Sequence, residues 1–331
     1  MPEFPEIVHR LKGKSILVTG GAGFIGSNLT KSLLELGAKV RVLDNLATGK
    51  EKNLEAFSSN EHFEFVEADI RNYESCLSCL DGIDAVSHQG ALGSVPRSIA
   101  HPHQTHEVNA SGFLNMLHAC KESGVNRFVY ASSSSVYGDS TTSPKVEGEE
   151  GNLLSPYAVT KQLNEKYASV YHQLHSMETI GLRYFNVFGP NQDPNGVYAA
   201  AIPKFIQAMM QGGSITINGD GSQTRDFTYV KNAVLANLLA LTVEEKNAYG
   251  EAFNVACGDS FSLNELIAIL KEELQALDKF NPSCEINHGP PREGDIPHSL
   301  ANISKINQLL SYQAQYQFRD GIREYLTGIA K

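Results

Sequence analysis

A glycine-rich turn between a strand and a helix constrains the fold of this chain more than any other feature. Residues 15–20, SILVTG, are apolar without alternation, which predicts a strand buried on both faces. The turn GGAGFIG spans 20–26 and opens a predicted helix over about 24–36. One glycine permits a tight turn, a second lets a pyrophosphate approach the backbone, and a third lets the helix pack on the strand. The sequence therefore predicts a dinucleotide-binding βαβ unit.

The alternation of strand and helix continues to about residue 185. Strands that alternate with helices form a parallel sheet with helices on both faces. We therefore expect an α/β fold with a Rossmann-like doubly wound parallel sheet. The further strands are predicted at 39–44, 63–69, 84–89, 127–132 and 178–185, and the helices at about 74–80, 105–123 and 155–175.

After residue 186 the pattern changes, and the chain is predicted to leave the sheet twice to build a smaller α/β substrate-binding lobe. A loop of turn formers at 189–196 is followed by a predicted helix over about 199–211 and a strand at 214–219. Ser262 and Glu265 have the spacing of a capping box, which predicts a helix over 262–277.

These elements divide the chain into two predicted domains and a short N-terminal extension at 1–12. The helix at 230–242 and the strand at 252–257 are assigned to the main sheet. The nucleotide-binding domain is predicted at 13–185 plus about 230–257, and the substrate lobe at about 186–229 plus 258–331.

Composition excludes several classes of function. The net charge of −10 argues against a nucleic-acid-binding surface. No apolar run approaches the roughly 18 residues that a membrane span needs. The first residues carry two prolines and two glutamates before any basic residue, so no secretory signal is expected. The five cysteines, an odd number, predict free thiols in a reducing cytoplasm.

The histidines and cysteines do not predict a metal site. Cys76 and Cys79 have no second cysteine pair at zinc spacing. His101, His103 and His106 are interpreted as solvated side chains on a loop that leads into a helix.

An acidic residue closes the second predicted strand. Asp44 follows Gly26 by 18 residues, the spacing at which a carboxylate binds the adenosine ribose hydroxyls. The same charge repels a ribose 2′-phosphate, so the sequence predicts NAD rather than NADP.

Two residues on one helical face predict a general base. Tyr157 and Lys161 are four residues apart, which places them about 6 Å from each other on a helix. An ammonium beside a phenol can lower the tyrosine pKa from about 10 toward working pH. The pattern is common, and a solvated tyrosine–lysine pair is the alternative. Four serines at 132–135 favour the functional interpretation, because they follow a strand at the sheet edge where ligands bind.

Taken in order, these segments closely resemble the extended short-chain dehydrogenase/reductase family from about residue 13 to the end. The chain looks most like the NAD-dependent nucleotide-sugar 4-epimerases. It is most similar there to the bacterial UDP-N-acetylhexosamine 4-epimerases of O-antigen and capsule pathways. The family segments are GGAGFIG, Asp44-Asn45, Ala68-Asp69-Ile70, SSSSVYG, YAVTK and RYFNVFGP, and those of the subgroup are 192–196, 217–221 and 292–295.

The resemblance implies a reversible C4 epimerisation through a transient 4-keto sugar, with tightly bound NAD. Ser133, Tyr157 and Lys161 match the family's catalytic triad. Tyr157 would take the proton of the sugar 4-hydroxyl, directly or through Ser133, and Lys161 would also hold the nicotinamide ribose. The resemblance implies further NAD contacts from Gly20, Gly23, Phe24, Ile25, Gly26, Asp44, Asn45, Gly49, Asp69, Ile70, Gln89, Gly90, Ala91 and Asn109.

The resemblance also implies a UDP-sugar site. Arg225 and Arg292 resemble the two arginines that clamp the diphosphate, a role that suits the planar donor fork of guanidinium. Asp295 resembles the acid that binds the uridine ribose, and Ser299 takes the position where relatives that reject N-acetylated sugars carry a bulky aromatic residue. The remaining expected substrate contacts are Ser94, Arg97, Ser133, Ser134, Asn186, Asn195, Ala200, Thr216 and Asn218.

Several alternatives share this fold. The 4,6-dehydratases of the family carry an Asp-Glu pair, and the UDP-glucuronate decarboxylases a glutamate, near positions where this chain has Ser134 and Ser135. A 4-epimerase of a UDP-hexuronic or UDP-N-acetylhexosaminuronic acid, or of UDP-glucose and UDP-galactose, remains open. A protein that binds NAD only as a sensor or scaffold would usually have lost Tyr157 or Lys161.

The resemblance also implies a homodimer through a four-helix bundle of the helices at 105–123 and 155–175.

Overall fold

The computed structural model describes residues 5–195, 200–290 and 298–330. Its helices, in chain order, are α1 (Pro5–Leu11), α2 (Phe24–Glu35), α3 (Tyr73–Ser78), α4 (Val95–Ala100), α5 (Pro102–His106), α6 (Gly112–Glu122), α7 (Pro156–His175), α8 (Ala201–Gln211), α9 (Val230–Thr242), α10 (Leu263–Ala276), α11 (Ser304–Leu310) and α12 (Phe318–Ala330). Its strands are β1 (Ser15–Thr19), β2 (Lys39–Asp44), β3 (Phe63–Glu67), β4 (Ala85–His88), β5 (Arg127–Ser133), β6 (Glu178–Tyr184), β7 (Val187–Phe188), β8 (Ser214–Asn218), β9 (Thr224–Arg225), β10 (Thr228–Tyr229), β11 (Glu251–Val255), β12 (Phe261–Ser262), β13 (Glu285–Gly289) and β14 (His298–Ser299).

Seven parallel strands form the central sheet in the order β11-β6-β5-β4-β1-β2-β3. The chain builds outward from β1 to β3 on one side, and then returns to place β4 on the other side of β1. The carboxyl ends of β1 and β4 therefore flank the point where the strand order reverses, which is where such sheets bind ligands. This topology confirms the predicted Rossmann-like fold.

Neighbouring residues of β1 belong to opposite layers of the core. Ile16 and Val18 pack in an apolar cluster with residues of α1, α2 and α9, whereas Leu17 packs in a second cluster with residues of α3 and α6. A strand covered on both faces needs apolar residues at every position. This explains why the sequence of β1 shows no alternation.

A third apolar cluster forms the core of the smaller lobe. Phe188, Phe205, Tyr229, Leu266 and Phe318 belong to it, and β7, α8, β10, α10 and α12 therefore share one core. Phe24 and Ile25, at the start of α2, are partly buried against the same cluster. The lobe thus packs directly on the helix that follows the glycine turn.

Two segments pack differently from the predicted domain division. The segment predicted as an extension forms α1, whose Ile7 and Leu11 are buried in the same cluster as β1. Ile306 and Leu310 of α11 also lie in that cluster, although 258–331 was assigned to the lobe. Both helices bury apolar residues against the main sheet, which local sequence patterns do not reveal.

The predicted helix over 105–123 contains an irregular turn. It forms as α5 and α6, joined by a π-helical turn at Glu107–Ser111. Within the described ranges, no helix combines the length and the apolar character needed to cross a bilayer.

The predicted capping box at the start of α10 is present. The Ser262 hydroxyl accepts a hydrogen bond from the Glu265 backbone N–H at 3.1 Å, and the Glu265 carboxylate accepts one from the Ser262 N–H at 2.8 Å. We predict that Ser262→Ala lowers the free energy of unfolding by about 0.5–2 kcal/mol, because an N-terminal N–H loses its partner. Urea denaturation tests this, with Ser262→Thr as the control that keeps the hydroxyl. Equal losses in both variants would contradict the capping role.

Candidate active site

A cavity of about 300 Å³ opens at the carboxyl ends of the central strands. Its wall includes Gly20 after β1, Asp44 at the end of β2, Gln89 after β4 and Ser132 near the end of β5. Tyr157 and Lys161 of α7 line it as well. The structure thus brings the glycine turn, the acidic residue and the tyrosine–lysine pair into one cavity.

The glycine turn is too crowded for side chains at two positions. Gly20 has a φ of +68°, and a Cβ there would lie 2.7 Å from backbone atoms of Gly90. A Cβ on Gly26 would overlap the Gly20 carbonyl oxygen. The start of α2 therefore approaches β1 closely, and its first N–H groups have no side-chain cap at Gly23. This cradle fits the pyrophosphate of a dinucleotide.

Asp44 is held rigidly in the cavity wall. Its carboxylate accepts hydrogen bonds from the backbone N–H groups of Ala22 at 2.9 Å and Leu46 at 2.8 Å. Burial raises the pKa of this carboxyl, while these backbone bonds oppose the rise. Gly49 is not part of the wall; a Cβ there would lie 3.0 Å from Asp44 Oδ1, so Gly49 makes room for the carboxylate.

Asp69, which is expected at the adenosine end of the cofactor, has strong partners within the protein. Arg71 Nη2 donates to Asp69 Oδ2 at 2.7 Å, and Asn45 Nδ2 donates to the same oxygen at 2.8 Å. The hydrogen bond from Arg71 lowers the pKa of Asp69 to about 2. Asp69, Asn45 and Ile70 line the cavity as expected, and so does Arg71, which was not among the predicted residues.

The far end of the cavity holds the tyrosine–lysine pair. Lys161 is only 3% exposed, and its Nζ donates to the Ala131 carbonyl oxygen at 2.8 Å. Burial lowers the pKa of Lys161 to about 8, against the opposing charge of Glu165. Tyr157 hydrogen-bonds the Ser133 side chain, and the ammonium lies 5.9 Å from the centre of its ring.

One electrostatic expectation for Tyr157 needs correction. The sequence suggested that Lys161 lowers the tyrosine pKa. In the structure, burial raises the Tyr157 pKa, and the Ser133 hydrogen bond only partly opposes it. This direction keeps the phenol protonated at neutral pH in the free protein.

Gln89, Gly90 and Ala91 line the cavity, whereas Asn109 supports it from behind. Asn109 is 1% exposed, and its side chain bonds both the N–H and the carbonyl of Leu92, at 2.7 and 3.1 Å. It therefore fixes the loop after β4 instead of facing the cavity. The wall residues that sequence reasoning missed include Thr48, Arg71, Gln104, Val108 and Tyr184.

Tyr184 belongs to a buried polar network under this cavity. Its hydroxyl donates to Gln89 Oε1 at 3.0 Å and accepts from Asn237 Nδ2 at 2.7 Å. Gln89 Nε2 in turn donates to Asn237 Oδ1 at 3.0 Å. Only the position of Tyr184 at the end of β6 could have identified it from the sequence as a cavity residue, because cavity residues follow strand ends.

Three of the expected substrate residues meet where the lobe joins the sheet. Ser299 of β14 pairs in register with Arg225 of β9, and its carbonyl accepts from the Asp226 N–H at 2.7 Å. Asn186 Nδ2 donates to the Asp226 carbonyl at 3.0 Å. The structure therefore places Asn186, Arg225 and Ser299 around one short strand segment.

Ser94 and Ser134 are not part of the cavity wall, although Ser94 directly follows the wall residue Gly93. Ser94 has a φ of +132°, a strained conformation for a residue with a side chain, and strain of this kind concentrates at functional sites. Its hydroxyl accepts from the Arg97 N–H at 3.2 Å and caps α4. Ser134 directly follows Ser133 and begins a 3₁₀ turn.

The other expected substrate residues are spread over the lobe. Thr216 and Asn218 occupy exposed positions of β8, and Ala200 is the N-cap of α8. Asn195 is exposed, and its side-chain oxygen accepts from Gln207 Nε2 at 3.1 Å. Arg292 and Asp295 lie outside the described residues.

Comparison with known proteins decides the family. Residues 16–256 match the model of the NAD dependent epimerase/dehydratase family. The chain belongs to this NAD-dependent family. This confirms the family resemblance, and it confirms NAD as the cofactor for which the glycine cradle and Asp44 are suited.

Individual relatives act on different sugars. A UDP-glucose 4-epimerase from Mycolicibacterium smegmatis is 34% identical over 92% of this chain and 95% of its own length. A UDP-N-acetylglucosamine 4-epimerase from Methanobrevibacter ruminantium, solved with UDP-N-acetylmuramic acid, is 37% identical with a TM-score of 0.89, covering 96% of this chain and 98% of that one. A UDP-glucuronic acid 4-epimerase from Bacillus cereus was solved with UDP-glucuronic acid and NAD. It is 32% identical with a TM-score of 0.85, and the match covers 95% of this chain and 99% of that one.

We predict that Asp44→Asn weakens NAD binding and relaxes discrimination against NADP. Loss of a charged hydrogen-bond acceptor typically costs about 1.5–3 kcal/mol, or roughly 10- to 100-fold in affinity. Titration of the cofactor-free protein with NAD and NADP measures both effects. Asp84→Asn is the matched control, because Asp84 also accepts a backbone N–H, from Ser15, but at the opposite edge of the sheet. An unchanged NAD/NADP ratio would show that Asp44 does not bind the ribose.

Proposed function

We propose that this enzyme catalyses the reversible C4 epimerisation of UDP-N-acetylglucosamine and UDP-N-acetylgalactosamine, to supply precursors for surface polysaccharide. The observation that carries the chemistry is the position of Tyr157 and Lys161. They lie in the same cavity as the glycine turn, with Ser133 hydrogen-bonded to Tyr157. A base and a hydride acceptor can therefore act on one carbinol.

The side chains divide the reaction between them. Tyr157 removes the proton of the sugar 4-hydroxyl, directly or through Ser133, and returns it after the sugar has turned. NAD, when bound, supplies a reversible hydride acceptor for C4, so no external reductant is consumed. Burial keeps the resting phenol of Tyr157 protonated, and the Lys161 ammonium, 5.9 Å from the centre of its ring, would stabilise the phenolate as it forms during proton transfer.

The substrate assignment draws on Ser299 and Arg225. Their pairing in register between β14 and β9 supports a site in which a small residue and a diphosphate-binding arginine come from neighbouring strands. A small residue leaves room for a 2-acetamido group in either orientation of the sugar. The similarity to a UDP-N-acetylglucosamine 4-epimerase supports the same substrate class.

Elimination chemistry is disfavoured by the residues after β5. Ser134 begins the 3₁₀ turn, and the Ser135 hydroxyl is buried. Neither serine can supply the acid that the dehydratases carry here. Epimerisation of a UDP-hexuronic acid or of UDP-glucose requires no such acid, so these substrates are the alternatives that the assay must separate.

The direct test incubates the purified protein, without added NAD, with UDP-N-acetylglucosamine, UDP-N-acetylgalactosamine, UDP-glucose, UDP-galactose and the corresponding uronic acids. Chromatography separates the 4-epimers. We expect the two N-acetylhexosamine nucleotides to interconvert fastest. Faster turnover of a uronic acid would transfer the proposal to that substrate, and no interconversion of any pair would refute epimerase function.

We propose that the enzyme acts as a cytoplasmic homodimer. Val159, Val170 and Leu174 are 50%, 45% and 71% exposed, and their spacing places them on one side of α7. A second copy that pairs α7 with α5–α6 would cover this apolar side in a four-helix bundle. The cytoplasmic assignment rests on the five free cysteines.

The base has its own test. Tyr157→Phe should lower kcat by about 10²- to 10⁴-fold, because the hydroxyl that accepts the proton is lost. NAD binding and the thermal midpoint should stay close to those of the wild type. Tyr171→Phe is the control on the same helix, where the hydroxyl contacts His118 instead of the cavity. A kcat near the wild-type value in Tyr157→Phe would overturn the assignment.

Sugar specificity is tested at Ser299. Ser299→Tyr should block the N-acetylated substrates and spare UDP-glucose and UDP-galactose, because an overfilled pocket penalises only the larger ligand. Both rates are measured side by side, and Ser299→Ala serves as the small control that should keep both. If acetamido turnover survives in Ser299→Tyr, or both rates fall equally, Ser299 does not set the specificity.

A further inference from the structure

A buried carboxylate lies one helical turn beyond the catalytic lysine. Glu165 follows Lys161 by four residues on α7, so both side chains belong to one side of that helix. Ser132, near the end of β5, donates its hydroxyl to Glu165 Oε1 at 2.5 Å. The carbonyl oxygen of the neighbouring residue, Ala131, accepts a hydrogen bond from the Lys161 ammonium. Successive residues of β5 thus bind successive turns of α7.

Glu165 is also fixed from the next strand. Arg183 of β6 forms a two-point ion pair with it, from Nε to Oε1 at 2.9 Å and from Nη2 to Oε2 at 2.8 Å. The two side chains are only 10% and 7% exposed. A buried ion pair is weak evidence for stability, because desolvation offsets the attraction. Its planar two-point geometry does restrict how α7 can lie on the sheet.

We propose that Glu165 is a positioning residue for Tyr157 and Lys161. Its carboxylate, held by Arg183 and Ser132, fixes α7 on the end of β5 and keeps the buried lysine in its ammonium form. The inference rests on the proposed catalytic roles of Tyr157 and Lys161. It adds a function to a residue that is not itself part of the cavity wall but binds one wall residue, Ser132.

The charges around Lys161 support this role. The Tyr157 ring centre lies 5.9 Å from its ammonium, and Glu165 of α7 and His88 of β4 interact with it electrostatically. His88 is fully buried, and burial lowers its pKa to about 3, so it carries no charge at neutral pH. Glu165 is therefore the negative charge that opposes the desolvation of the ammonium.

Arg183 and Glu150 complete the charges of this region. Arg183 Nη1 contacts Glu150 Oε1 at 2.5 Å and the Tyr137 hydroxyl at 3.0 Å. The Arg183 charge is thus shared between two carboxylates. Removal of the Glu165 charge would leave Arg183 with Glu150 and make the surroundings of Lys161 more positive.

The test is the pH dependence of Glu165→Gln. A more positive environment lowers the Lys161 pKa, so the ammonium is lost at lower pH than in the wild type. We expect the alkaline limb of the kcat profile to move to lower pH by about one unit, the size typical of a nearby charge. We also expect kcat to fall by about 10-fold while KM for the UDP-sugar changes little.

The same two strands offer a matched control. Arg127 and Glu178, at the starts of β5 and β6, form an ion pair at 2.7 Å, at the opposite end of the sheet. Glu178→Gln should change the thermal midpoint without moving the pH profile. If Glu178→Gln moves the profile as far as Glu165→Gln, or if neither variant moves it, Glu165 has no positioning role.

A second measurement separates this proposal from the proposed function. Carbon-13 NMR of protein with labelled lysine Cε follows the Lys161 titration without turnover, with Lys161→Ala used for assignment. We expect a lower Lys161 pKa in Glu165→Gln than in the wild type, and an unchanged value contradicts the proposal even if the wild type epimerises no UDP-sugar.

If Glu165→Gln does not fold, Glu165→Asp keeps the charge on a shorter side chain. That variant should lower kcat with little change in the Lys161 pKa, and a wild-type kcat would overturn the proposal.

Discussion

The close approach of α2 to β1 is the contact on which the rest of the structure depends. Gly26 lies so near the Gly20 carbonyl that even a methyl group would overlap it. Because α2 begins at this point, its N-terminus faces the cavity, and Phe24 and Ile25 reach the core of the smaller lobe. One turn therefore sets the cofactor cradle and the place where the lobe attaches. Substitution of either glycine would disturb both.

The two ends of the cavity differ in whether the protein favours or opposes the charged forms of their side chains. At the adenosine end, Asp69 is partly exposed and kept ionised by Arg71, so its charge is available at any physiological pH. At the end that holds the tyrosine–lysine pair, burial works against the charged forms of both Tyr157 and Lys161. Groups whose protonation must change during a reaction need pKa values near the working pH. Burial moves the pKa of Lys161 toward that range and the pKa of Tyr157 away from it, so the tyrosine depends on its neighbours for the proposed proton transfer.

Local sequence patterns could predict the fold and the first layer of the site. Asp44 and the Tyr157–Lys161 pair could be predicted because each depends on spacing within one strand or one helix. Glu165 and Arg183 were not recognised, since their meaning comes from a contact between α7 and β6. The Tyr184–Asn237–Gln89 network has the same origin, because it joins three elements far apart in the chain.

The burial of α1 and the paired state of Asp69 were missed for a related reason. Ile7 and Leu11 look like an ordinary amphipathic start, and only the position of α9 explains why they are covered. Arg71 lies two residues from Asp69, yet nothing in that spacing requires the guanidinium to fold back on the carboxylate. Sequence patterns report the period of one element, whereas pairing across elements depends on the folded arrangement.

Asp226 shows how the smaller lobe is tied to the central sheet. Its buried carboxylate accepts backbone N–H groups from Cys257 and Gly258, just after β11, and from Ala301, just after β14. Burial raises the Asp226 pKa to about 7, although these bonds favour the charged form. The carboxylate thus joins the end of the main sheet to the strand that carries Ser299. Because Ser299 and Arg225 are neighbours in register, any shift of this junction would move the proposed sugar and diphosphate contacts together. If Ser299 sets the sugar specificity as proposed, that specificity depends on the buried Asp226 carboxylate as well as on the size of residue 299.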